Sequence, residues 1–171
     1  MSDAKPPEPW LRGTLTEIPA VARAVLHSLQ LAQEDLLTWC GGLSDKELNA
    51  RPGGIAPVAF HMRHISRSAD RLLTYAEGRG LDQKQIDSLA VELLPPGTKS
   101  ELFAELSASL ERSAHRIGRL ASANLETVRS VGTRQLPTTV GGLLVHVAEH
   151  TQRHVGQAIT TSKILVAQRR A

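Results

Sequence analysis

Apolar residues recur at helical spacing in four long stretches, and this pattern constrains the fold more than any other feature of the chain. Ile18, Val21, Val25, Leu29, Ala32, Leu36 and Trp39 mark one face of a first helix, with Pro19 suited to its first turn and Gly41-Gly42 at its end. Val58, Met62, Ile65, Ala69, Leu72, Leu73 and Ala76 mark a second, between Pro57 and Gly78. A third runs from Lys99 to Ala123 on Leu102, Leu106, Leu110, Ile117 and Leu120. The fourth spans Val140 to Val166, capped by Thr138 or Thr139, despite Gly141 and Gly142 in its first turn. Helices of this length and amphipathicity bury their stripes against one another, so the expected class is all-α, a four-helix bundle.

Composition agrees with that class. Apolar residues are 41% of the 171 and aromatics only 3%, so the core must be built from Leu, Ala, Val and Ile. The connections carry their own signals. Ser44 and Glu47 form a capping box for a short turn, and Arg51-Pro52-Gly53-Gly54 is a loop. Asp82 caps a short extra helix through Leu94, closed by Pro95-Pro96-Gly97. Leu125 to Pro137 is a long loop before the last helix, with room for a brief strand. Residues 1–13 are expected to be a flexible tail pinned by Trp10 and Leu11, and residues 14–171 a single domain.

A formal charge of +3, with arginines scattered among acids, gives no concentrated basic face for nucleic acid. No apolar run approaches the ~20 residues that cross a bilayer, and the polar, proline-rich start reads as no signal peptide. The lone Cys40 excludes an internal disulfide and suits a reducing compartment, so a cytoplasmic protein is expected. Cys40 reads as a buried helix residue rather than a nucleophile.

Five of the seven histidines fall in two clusters: His61 and His64 on the second helix, and His146, His150 and His154 on the fourth. Residues three or four apart share a helical face, and neutral imidazole is the commonest side-chain ligand for a transition metal. His146 and His154 are two turns apart, ~12 Å, so one ion takes His146 with His150 or His150 with His154. The second helix offers His61 or His64. His27 and His115 read as ordinary hydrogen-bonded residues. His146-Val-Ala-Glu149-His150 also fits H-x-x-E-H, the inverted zinc-protease signature, but the chain offers no large substrate chamber for that chemistry.

The segments RPGGIAPVAFHMRHISRSADRLLTYAEGRGL and VGTRQLPTTVGGLLVHVAEHTQRHVGQAITTSK resemble the DinB-like (DinB/YfiT) superfamily of metal-binding four-helix bundles. The family's last helix runs from a histidine cluster into an H-x-G-Q ending, which His154-Val155-Gly156-Gln157 matches. The resemblance implies His150 and His154 as the paired ligands. On the second helix it selects His64-Ile65-Ser66 over His61. It implies a divalent ion, nickel or zinc first, then iron or manganese, with positions open to water or substrate. Arg153 stands where a further histidine is often found.

The resemblance further implies a homodimer acting on a small molecule. The activity would be S-transfer from a low-molecular-weight thiol or metal-dependent hydrolysis; a non-catalytic, dimeric stress-response module is the remaining reading. Asp70 and Glu149 are the acidic candidates near the triad. Asp70 is expected to meet Arg67, Arg71 or Arg153, and Glu149 to be solvated or ion-paired. His61 and His146 are expected beside the same cavity, and Gln157 near a neighbouring helix.

Overall fold

Each long apolar stripe forms the helix its period predicts. The computed structural model describes residues 6–92 and 97–169. Its helices are α1 (Ala20–Cys40), α2 (Asp45–Leu48), α3 (Val58–Ala76), α4 (Gln83–Ala90), α5 (Lys99–Leu120) and α6 (Val140–Gln168). Capping boxes start three of them: Ser44–Glu47, Asp82–Gln85 and Thr98–Glu101 satisfy first-turn N–H groups of α2, α4 and α5. The four long helices make the main packing pairs, α1 and α3 each lying against both α5 and α6. Leu36, Met62, Ile65, Leu73, Leu102, Ile117 and Leu144 are fully buried between them. Each buried aliphatic side chain of this kind contributes about 1.5–3 kcal/mol.

The fold is mostly helical but not wholly so. Within the expected loop, β1 (Val128–Val131) pairs antiparallel with β2 (Leu136–Thr139), Val128 opposite Thr139 and Val131 opposite Leu136. Gly132 takes φ +71° in the connecting turn, a conformation that costs glycine little. The hairpin is tied to α3 by Arg129, whose Nε donates to the Ala76 carbonyl at 2.9 Å. Strand β2 runs straight into α6, because Thr139 is also the helix cap, accepting from the Gly142 N–H at 3.0 Å.

The two glycines in the first turn of α6 have a steric reason. A Cβ on Gly141 would stand 3.1 Å from Leu125 Cβ and 3.2 Å from its carbonyl oxygen, and one on Gly142 would stand 2.9 Å from Thr138 Oγ1. The Gly141 N–H donates to the Leu125 carbonyl at 2.8 Å, a contact that fixes where α6 begins.

Several local expectations change. Trp10 and Leu11 are 61% and 56% exposed; Pro9 is the buried residue of that segment, and Arg12 makes a bidentate pair with Glu34 at 2.7 Å. Trp39, placed on the first apolar stripe, is 43% exposed, with Lys163 Nζ 4.4 Å from its ring centroid. Helix α4 stops at Ala90, and its expected extension to Leu94 runs into residues 93–96, outside the described residues.

Candidate metal centre

Helices α3 and α6 are in contact, and their histidine clusters meet across that contact. His64 on α3 and His150 and His154 on α6 offer ring nitrogens that all lie within 4.8 Å of one another. The His64 and His150 Nε2 atoms are 2.9 Å apart. The His154 ring centroid is 4.4 Å from that of His64 and 4.6 Å from that of His150. Among the described residues no fourth histidine, cysteine or acid joins this group.

Each approach is held by neighbours. The His64 Nδ1 stands 2.7 Å from Glu92 Oε2, and Arg71 Nη1 donates to the other oxygen, Oε1, at 2.9 Å. Glu92 is 6% exposed and Arg71 9%, so the pair is taken out of water together. Burial opposes ionisation of Glu92, but the hydrogen bonds from His64 and Arg71 outweigh it and hold its carboxyl below the usual range. An ionised Glu92 accepts a hydrogen bond from the His64 Nδ1–H, which puts the ring's lone pair on Nε2. His61, 5% exposed, sits with its Nδ1 3.0 Å from His154 Nδ1, a contact that holds that ring in place. Phe60 stacks on His64, ring centroids 5.3 Å apart and 21° between planes.

Burial, followed by the repulsion of neighbouring rings, pushes His61, His150 and His154 down to about 4. These imidazoles are therefore neutral near pH 7, the form that ligates. The donor set fits a divalent ion on this ground and on distance. Two metal–nitrogen bonds of about 2.0–2.1 Å span at most about 4.2 Å, and 2.9 Å lies within that.

His146, one turn before His150, is half-buried and faces Glu149, its Nδ1 3.3 Å from Oε2; Arg153 donates to the other oxygen of Glu149 at 2.7 Å. Glu149 is thus an exposed, ion-paired residue, as expected, which removes the base that the H-x-x-E-H reading requires. Asp70 does not meet Arg67, Arg71 or Arg153. Its Oδ1 accepts from Arg116 Nη1 at 2.6 Å and its Oδ2 from Gln85 at 2.5 Å, so it ties α3 to α5 and α4, away from the histidines. Gln157 is exposed and lines a hollow beside His61 and Arg153. His27 faces Thr14 Oγ1 at 3.2 Å, and His115 is exposed on α5.

Glu92 is the residue the sequence reading missed. It follows the end of α4 and lies 28 positions from His64, so no helical spacing relates the two. A single acid inside the apolar run Val91-Glu92-Leu93-Leu94 is the one signal that could have marked it. Cys40 is buried on α1, its thiol pushed up to about 11 by burial, which removes it as a nucleophile.

The family model of the DinB superfamily matches residues 28–158, which include all three clustered histidines and Glu92. The chain belongs to that superfamily. No curated protein matches it. No helix of the described residues is long and apolar enough to cross a membrane.

Proposed function

We propose that His64, His150 and His154 hold one divalent metal ion, nickel or zinc in preference to iron or manganese, in a four-helix bundle of the DinB type formed by residues 14–171. The observation that carries this reading is the convergence of three imidazoles from two helices, one held against Glu92 and one against His61. Three protein ligands leave a position open, as catalytic rather than structural sites do. A divalent ion there supplies Lewis acidity to whatever atom takes the open position.

The activity we favour is transfer of a low-molecular-weight thiol to a small electrophile, in a cytoplasmic homodimer. The thiol loses its proton, and its sulfur bonds to the electrophilic carbon as that carbon's leaving group departs. Cys40 is too buried to supply the sulfur, so the thiol comes from outside the chain. His146, at the rim beside His150 and hydrogen-bonded to Glu149, is the residue placed to take up the released proton. The test is formation of the S-conjugate, read by mass spectrometry, with loaded protein, metal-free protein and His154→Ala. Conjugation confined to the loaded wild type is expected, and equal rates in all three would overturn the transferase reading.

A further inference from the structure

A cleft of about 300 Å³ opens over His64 and His150. Its walls come from four separate segments: Leu72 and Tyr75 on α3, Leu81 before α4, Leu89 on α4, and Val131 at the end of β1. Its size lies at the small end of the range for small-molecule pockets, about 300–1,000 Å³. Leu89 remains 51% exposed, so this wall is not closed by the protein's own core. Among the described residues of the lining the one arginine or lysine is Arg71, already paired with Glu92 at 2.9 Å. Its charge is committed, so away from the histidines the cleft has little to offer an anionic group. The recognition left to it is removal of an apolar group from water.

We propose that this cleft binds the apolar portion of the small-molecule substrate, a short aliphatic chain or a single ring, with the reactive end against His64 and His150. The hairpin and α4 thereby act as specificity elements for a site whose ligands lie on α3 and α6. The inference rests on the metal-site reading only for the direction in which the reactive end points; the cleft's selectivity stands apart from it.

The experiment has a metal-free arm and a loaded arm. Tyr75 is the only tyrosine in the chain, so 3-fluorotyrosine gives a single ¹⁹F resonance inside the cleft. Titrating metal-free protein with n-alkanols from ethanol to hexanol should shift that resonance saturably, with affinity rising about fourfold per methylene. Leu89→Ser, at a half-exposed position that leaves the core intact, should weaken hexanol about tenfold. A resonance that does not move, or an affinity independent of chain length, overturns the proposal.

In cobalt-loaded protein, n-alkanethiols should show the same chain-length dependence in the intensity of the thiolate charge-transfer band, reduced in Leu89→Ser. A band that forms with no dependence on chain length overturns the orientation proposed for the reactive end. Failure to take up cobalt at all overturns the metal-site reading instead, and the alkanol titration then decides the cleft alone.

Discussion

The buried carboxylate of Glu92 bridges two residues of α3 seven positions apart, meeting His64 Nδ1 at 2.7 Å with one oxygen and Arg71 Nη1 at 2.9 Å with the other. The segment after α4 is thereby fastened onto the histidine face of α3, and the His64 tautomer is set by a residue outside the two ligand-bearing helices. Carboxylate partners of this kind change metal affinity about 10–100-fold when removed. Glu92→Gln should weaken metal binding by that factor in a competition titration against a chelator. An unchanged affinity would show that Glu92 plays no part in orienting the ligand.

Asp70 supplies the contrast. It lies on the same helix as His64 yet joins Arg116, whose guanidinium also donates to Glu77 at 2.8 Å and Thr74 at 2.9 Å. Arg116→Leu removes one donor from each of these acceptors, which keep Gln85 and Arg79 as partners, and should destabilise the fold by about 1–3 kcal/mol in denaturant titrations. Metal content should be unaffected. Loss of metal in a folded Arg116→Leu protein would mean that this network reaches the histidines.

Acid should destabilise the metal-free fold in a defined window. His61 has a folded pKa of about 4 against an unfolded value near 6.5, so between those values the unfolded chain binds more protons. Stability present above pH 6.5 is therefore lost as pH falls toward 4, by about 3 kcal/mol for His61 alone, and His150 and His154 act in the same direction. Chemical denaturation of metal-free protein at pH 7 and pH 4.5 reads this loss. His61→Phe should flatten the pH dependence; an unaltered slope in that variant would remove His61 from the account.

Much of the fold was legible because amphipathic period is a local property. The stripes of α1, α3, α5 and α6, the Ser44–Glu47 box and the caps at Asp82 and at Thr138 or Thr139 all depend on residues within a few positions of one another. The hairpin was harder to read: its strands have only four residues each, and three of the four in β1 are half-buried, so neither an alternating nor a fully buried pattern emerges. Trp39 lies at helical period with the core but at the end of α1, where its neighbour is Lys163 rather than another apolar stripe.

The same division runs through the candidate site. The 146/150/154 spacing could be read as one face, and the family resemblance chose among its pairs. His61 and Glu92 act through contacts spanning 93 and 28 positions, which no local pattern carries. Asp70 was nominated for its nearness to His64 in sequence, and its direction around α3 takes it to α5 instead.

The homodimer is open to a direct check. Light scattering at micromolar concentration should give twice the chain mass for loaded protein. A monomer would remove the dimer and leave the histidine geometry untouched.

The central claim is one ion held by three named imidazoles, and elemental analysis of purified, metal-loaded protein after desalting tests it most directly. Wild type, His27→Ala and His115→Ala should each carry one divalent ion per chain, while His64→Ala, His150→Ala and His154→Ala should each lose it with the helical circular-dichroism signal retained. Full occupancy in folded His150→Ala, or none in the loaded wild type, would contradict the account.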